Sequence, residues 1–297
     1  MKDEVNIFEF TETFPDESAC IAFLEKSRWP DGKPISPFGG GEAYRIGTRP
    51  GVYKCKKTLQ NFSVRHGTIF EESRLPLKKW FFAIFLLHSL KKGISSIQLA
   101  KYLGVTQKTA WFMLQRIRYA VEHKAFKMPL SGIVEIDETY VGGRRAGVRG
   151  RGAAGKTPVV GIIQREGEVR YEAVPNVKSR TVSPLVRESV AIGSTLMTDE
   201  FGIYPGIARN GYEHKVINHS LRQYVDGDIH TNNIDGFWSH LKRGIKGVYI
   251  QVSRKHLNKY CKEYEFRFNH RHISDFERFQ KWFGFCFGRL TYEALIA

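Results

Sequence analysis

Between Asp228 and Val248 the apolar residues Ile234, Phe237, Trp238 and Leu241 return every three or four positions, which predicts a helix with one apolar face. Thr231 or Asn232 can cap its start and Gly244 can stop its end. Asp235 and Lys242 stand almost two turns apart on this helix, so they leave it from the same side. Such a pair can be no more than a solvated ion pair, and the rest of the chain has to decide whether it is more.

Upstream, residues 1–30 predict a short helix, with Asp16 as cap before Cys20, Ile21, Phe23 and Leu24. Positions 30–70 are rich in Gly, Pro and aromatics and predict two short hairpins, the layout of a zinc ribbon. A ribbon needs two Cys-x2-Cys knuckles, and only Cys55 is present. Ser36-Pro37-Phe38-Gly39 stands where the first knuckle would fall, and Thr58 lies three residues past Cys55. One thiolate cannot hold tetrahedral zinc, so the expectation is a ribbon-like subdomain without zinc, resting on Phe38, Tyr44, Tyr53 and Phe62. Leu75 to Ser89 predicts a strongly apolar helix with Pro76 in its first turn. Gln98 to Arg118 reads as a helix, a tight turn at Gly104, and a second helix capped by Thr106. Small Ala100 at the crossing, with Ala110, Leu114 and Ile117 inward, fits a helix-turn-helix as well as a purely structural pair. In a helix-turn-helix the second helix would turn Gln107, Lys108, Trp111, Gln115 and Arg118 towards DNA.

From Gly132 the period changes to two. Ile133 to Val141 predicts a strand carrying Asp137, followed by a Gly- and Arg-rich loop over 142–156. Val159 to Gln164 and Glu168 to Val174 predict a hairpin, and a helix follows around 182–190. Thr195 to Glu200 predicts a buried strand ending at Asp199, and His214 to Asn218 a fifth strand. The tail, 252–297, predicts helices anchored by Tyr260, Tyr264, Phe268 and Trp282. This order predicts an α/β fold, an RNase H-like mixed five-stranded sheet flanked by helices. The chain divides into 1–70 (helix and ribbon), 71–124 (helix-turn-helix) and 125–297 (RNase H-like domain with C-terminal helices). In such a sheet the first and fourth strands are neighbours and the late helix packs across them, so Asp137, Asp199 and Asp235 converge. Three carboxylates cannot share a site as free anions. Two hard cations, Mg²⁺ or Mn²⁺, resolve the repulsion and support phosphoryl transfer. Glu135 and Glu200 are alternative ligands or supporting groups, while Asp226 and Asp228 lack a lysine seven residues on. His219 and His230 could bind metal but more simply hydrogen-bond. Lys242 can neutralise a phosphate as a point charge.

Charge narrows the partner. Among 297 residues, 46 Lys and Arg oppose 30 Asp and Glu, a net charge of +16, which points to a polyanion and first of all to nucleic acid. Arg144, Arg145, Arg149, Arg151 and Lys156 on or beside the loop, and Arg243 next to Lys242, are placed for phosphates. No apolar run reaches the roughly 18 residues of a membrane span, and the first residues do not form a signal peptide. Four cysteines at wide spacing predict neither disulfides nor a metal site, consistent with a reduced, cytoplasmic, nucleoid-associated protein.

Four stretches, taken together and in order, carry a resemblance: F-S-V-R-H-G-T-I-F-E-E-S-R-L-P-L-K-K-W, K-K-G-I-S-S-I-Q-L-A-K-Y-L-G-V-T-Q-K-T-A-W-F-M-L, V-E-I-D-E-T-Y-V-G-G, and H-T-N-N-I-D-G-F-W-S-H-L-K-R-G-I-K-G-V-Y. The chain resembles DDE-type insertion-sequence transposases of the ISXO-type group, which join an N-terminal zinc ribbon and helix-turn-helix to an RNase H-like core and are related to Merlin elements. The resemblance implies metal-dependent cleavage of double-stranded DNA at inverted-repeat ends, followed by strand transfer into target DNA by a homodimer or higher oligomer. It implies Asp137 and Asp199 as metal ligands and Lys242 as a phosphate contact. The chain departs from the group in two places: Asp235 stands where Glu is usual, and three of four ribbon cysteines are replaced. A catalytically impaired DNA-binding descendant, acting as a repressor, and an RNase H-fold nuclease or resolvase are the other readings.

Overall fold

Leu77–Ser89 (α3) buries residues on every side, from Leu77, Trp80 and Phe81 to Leu87 and His88. A helix apolar all round has to be surrounded by others. In the computed structural model, which describes residues 4–122, 128–142, 155–217 and 231–296, the chain divides into two units. The first comprises 1–124 and 272–297, the second 125–271.

In the first unit α3 packs against Glu17–Arg28 (α2), Ser96–Leu103 (α4), Gln107–Glu122 (α5) and Asp275–Trp282 (α10). Its core is aromatic: Phe81 lies 4.7 Å from Phe283 and 5.7 Å from Phe279, centroid to centroid, and Phe10 of Ile7–Thr13 (α1) stacks on Phe85 at 4.2 Å. The tail therefore differs from the sequence expectation. Residues 272–297 complete this core with Phe279, Trp282 and Phe283 instead of belonging to the domain that begins at 125. The unit also holds an antiparallel sheet of Ala43–Arg45 (β1), Val52–Cys55 (β2) and Asn61–Ser63 (β3), in that order. Tyr53 and Phe62 stack at 5.6 Å, and Trp29 closes on Tyr53 at 4.8 Å, while Tyr44 points outward and gives the sheet no core. The Cys55 thiol accepts from the Thr58 amide at 3.4 Å, and hydrogen bonds led by Ser36 and Thr58 bring it down to about 7. The groups around the Cys55 sulfur are thus hydroxyls and amides. We predict less than a tenth of an equivalent of zinc per chain by elemental analysis, roughly the background of an empty site; one equivalent would contradict this.

The second unit is built on five strands: Ile133–Gly142 (β4), Lys156–Gln164 (β5), Val169–Ala173 (β6), Thr195–Asp199 (β7) and Glu213–Ile217 (β8). Their order is β6-β5-β4-β7-β8, with β4, β5 and β6 antiparallel and β7 and β8 parallel to β4. Period-two alternation divides the side chains between the faces. Val134, Ile136, Val160, Ile162 and Leu196 pack under Ser179–Ser189 (α6) and Tyr204–Ala208 (α7). Val141, Val159 and Ile163 pack under Asn232–Gly244 (α8) and Leu257–Asn269 (α9). The free edge of β6 is closed by α9: Asn269, Glu265 and Asn258 accept from the amides of Val169, Tyr171 and Ala173. An edge so covered cannot template pairing with another chain. Gly244 does not stop the chain's helical course, which runs on as a π-helical turn over Ile245–Tyr249; it is glycine for space, because a Cβ there would fall 1.5 Å from the Tyr264 hydroxyl.

Candidate active site

The face of β4 that α8 covers carries Glu135 and Asp137. Register decides what lies beside them. Glu135 pairs with Met197 of β7, and the same register carried two residues further sets Asp137 beside Asp199. The two carboxylates feel each other. Burial pushes the half-buried Asp137 up to about 7, with Glu138 and Asp199 adding their repulsion. Asp199 ends its strand, and its Oδ1 accepts from the Phe201 amide at 3.0 Å.

Helix α8 is fixed to β4 at two points. Neither Thr231 nor Asn232 supplies the cap that their side chains promise; Thr231 precedes the helix without a side-chain bond to it. The acceptor comes from the sheet instead. Glu135, fully buried, takes the amides of Asn233 at 3.1 Å and Ile234 at 3.2 Å on Oε2, and the Asn233 side-chain amide at 2.8 Å on Oε1. Arg165 donates to Glu135 Oε1 at 3.0 Å and balances its charge. A carboxylate at a helix N-terminus meets both unpaired amides and the positive end of the dipole. Both oxygens of Glu135 are thus engaged at the start of the helix. The second point is Trp238, whose Nε1 donates to Asp137 Oδ2 at 2.8 Å.

Asp235 and Lys242 are both exposed on α8, one turn before Trp238 and one turn after it. The convergence of three aspartates expected from the strand order is not gathered here: among the described residues no three His, Cys, Asp or Glu are grouped to hold a metal ion. Asp137 and Asp199 remain two hard oxygen donors on neighbouring strands, Asp137 raised chiefly by burial, and as a pair they offer the kind of donors a divalent cation takes. Glu200 is exposed beyond the end of β7. His214 Nε2 shares a 2.8 Å hydrogen bond with Thr198, whereas His219, His230, Asp226 and Asp228 lie outside the described residues.

The candidate DNA contacts divide. Helix α4 is capped by Ser95 and ends at Gly104 in the left-handed region (φ 58°), and α5 begins with Thr106 accepting from the Thr109 amide. Gln107 and Lys108 are exposed, with Gln107 bonded to Ser96 and Lys108 lying 4.9 Å over the Tyr292 ring. Trp111 is half-buried. Gln115 and Arg118 are fully buried and do not face outward as a recognition helix would need. The residues from Met113 to Arg118 are all buried, more than a full turn, so no side of α5 is open there. Lys156 and Arg243 are exposed; Arg144, Arg145, Arg149 and Arg151 lie outside the described residues.

Residues 129–269 match the model of the ISXO2-like transposase domain. An uncharacterized protein in transposable element ISH50 of Halobacterium salinarum is 27% identical over 86% of this chain and 92% of its own length. An uncharacterized transposase-like protein of Haemophilus influenzae is 36% identical over 34% of this chain and 80% of its own length. Among solved structures, the Mos1 strand transfer complex aligns over 63% of this chain and 71% of that one, at 15% identity and a TM-score of 0.25. A pre-cleavage Mos1 transpososome aligns over 65% and 74%, at 14% identity and a TM-score of 0.24. With its matched domain spanning the strands and helices that place Asp137, Asp199 and Asp235, the chain belongs to the ISXO2-like insertion-sequence transposases.

Proposed function

We propose that the chain is a DDE-type transposase with an RNase H-like core, which cuts double-stranded DNA at the ends of its element and joins them to a target. The observation that supports this most is the pair Asp137 and Asp199 on neighbouring strands, beneath a helix that carries Asp235 and Lys242. Asp137 and Asp199 would hold Mg²⁺ or Mn²⁺, with Asp235 as the third carboxylate. Such a cation supplies activation of water or a 3′-hydroxyl and stabilisation of the leaving oxygen. The chain's own part is positional: β4 and β7 set the two carboxylates side by side, Trp238 holds one oxygen of Asp137, and Lys242 offers a point charge to a phosphate. The helix pair α4 and α5 is proposed as a helix-turn-helix that uses Gln107, Lys108 and Trp111. The β1–β3 sheet is proposed as a zinc-free ribbon, and the working form as a homodimer or larger synaptic assembly in the cytoplasm. Among the described residues no helix is long and apolar enough to cross a membrane.

The exposure of Asp235 supports a second reading, a DNA-binding descendant that no longer cleaves. Incubation of duplexes carrying the element's ends with the protein and Mg²⁺ decides between them. Nicks at the element boundary support the transposase; binding without any nick supports the descendant. Asp235→Glu sharpens the comparison, since an exposed side chain leaves room for one more methylene. We expect single-turnover cleavage to rise, by about tenfold if the reach to the site is what limits it, because misplacement of about 1 Å costs up to about 100-fold. A slower glutamate variant would show that Asp235 already reaches its position.

Duplex binding in either reading is expected to weaken steeply with salt. If five or six cations displace counterions, affinity falls on the order of 10³-fold between about 50 and 200 mM salt. An affinity that stays flat over that range would remove the basic residues from the interface.

A further inference from the structure

We propose that Trp238 is a positioning residue for Asp137 and that Gly161 is the space that lets it act; the inference rests on the reading of Asp137 as a cation ligand. A buried indole N–H needs an acceptor. Trp238 is buried, and the acceptor it reaches is a side-chain carboxylate on β4, not a backbone carbonyl. Its neighbour Phe237, which packs 4.6 Å from Tyr171, fills the same core with no polar atom. Packing alone therefore does not call for tryptophan at 238. An aspartate carboxylate turns easily about its last torsion, and a donor fixed to one oxygen removes that freedom.

Gly161 makes the reach possible. It stands directly across the β4–β5 pair from Asp137, so its missing side chain would lie on the face that α8 covers. A Cβ at 161 would fall 2.6 Å and 2.7 Å from Cη2 and Cζ2 of Trp238, and 3.1 Å from Cδ1 of Ile234. The first two distances cannot be tolerated without movement of the ring. The backbone at 161 is not in the left-handed region, so glycine serves no turn there. Glycine inside a strand otherwise weakens it and marks close approach of another group; here that group is the indole.

The test measures Mn²⁺ binding to the full-length protein directly, by electron paramagnetic resonance of the free ion. It compares wild type with Asp137→Ala, Trp238→Phe, Gly161→Ala and the Trp238→Phe/Gly161→Ala double variant, with folding checked by circular dichroism. Groups that orient metal ligands are worth about 10- to 100-fold in metal affinity. Trp238→Phe and Gly161→Ala are each expected to weaken Mn²⁺ by about tenfold or more. Phenylalanine lacks both the N–H and the two ring carbons that a Cβ at 161 would strike. Gly161→Ala should therefore cost almost nothing further in the Trp238→Phe background, and this non-additivity is the signature of one shared mechanism. Wild-type affinity in Trp238→Phe, or a full cost of Gly161→Ala in its absence, overturns the inference while leaving the cation site standing. Equal binding by wild type and Asp137→Ala overturns the cation reading and the inference together. Should either single variant fail to fold, the other decides alone.

Discussion

Replacing Asp137 or Asp199 by alanine is expected to abolish strand cleavage while leaving duplex binding largely intact. The two carboxylates lie side by side at the covered face of the sheet, and the cations that would carry affinity, Lys156 and Arg243 among them, are separate exposed residues that the substitution leaves in place. Loss of a ligand removes several kcal/mol of transition-state stabilisation, on the order of 10³-fold in rate. Single-turnover cleavage of a pre-bound end measures it, and a variant cutting at the wild-type rate would exclude that residue from the site. Asp137 carries a second signature, in stability. Its carboxyl is raised to about 7 by burial first, then by Glu138 and Asp199. The folded protein thus keeps a proton there that the unfolded chain releases near pH 4. Stability from this group is complete at low pH and declines as pH rises from about 4 to about 7. In the metal-free protein, Asp137→Asn should then raise the melting temperature at pH 8 and change it little near pH 4. A cleavage-dead variant that is more stable would mark Asp137 as a charge held at a cost in fold stability.

Much of this site was legible in the sequence, and the parts that were not have a common physical reason. Alternation over 133–141, the strand that ends at Asp199 and the short strand begun at His214 are readable from the sequence, and strand order then makes Asp137 and Asp199 neighbours. What escapes is contact between elements far apart in the chain. Thr231 and Asn232 look like caps because the cap residue usually lies next to its helix; the acceptor is Glu135, about a hundred residues earlier. At Gly236, within α8 itself, nothing lies near the position of the missing Cβ. The close approaches are at Gly161 and Gly244, one on a strand and one at a helix end. A clue to Gly161 did exist: it interrupts V-V-G-I-I, an apolar strand with no turn nearby. Gln115 and Arg118 follow helical spacing outward from Trp111, but spacing cannot foresee that α5 is buried at every position from Met113 to Arg118. Adjacency in the chain places the C-terminal tail with the strands that precede it, whereas its Phe279 and Phe283 pack in the aromatic core of the first unit.

Glu135→Ala is expected to do more damage than its distance from the reacting phosphate suggests. The substitution removes the carboxylate to which Arg165 donates and leaves the Asn233 and Ile234 amides of α8 without that acceptor. Losing a hydrogen bond to a charged group costs about 1.5–3 kcal/mol, and losing a helix cap about 1 kcal/mol more. For a unit of this size that lowers the melting temperature by roughly 10 °C. Glu135→Gln keeps an oxygen for the amides and gives up only the charge, so it should sit between alanine and wild type. Scanning calorimetry orders the three, and equal melting temperatures would mean that α8 is held by its apolar face alone. The functional reading separates two roles for the pair. Glu135→Met with Arg165→Met removes both charges and can recover most of the stability, because buried ion pairs are often replaceable by apolar residues. It cannot restore an acceptor to the helix. If α8 needs that acceptor to keep Asp235, Trp238 and Lys242 in register with Asp137, the double variant will melt near wild type and still cleave poorly. Full cleavage by such a variant would reduce the Glu135 cap to a contribution to stability.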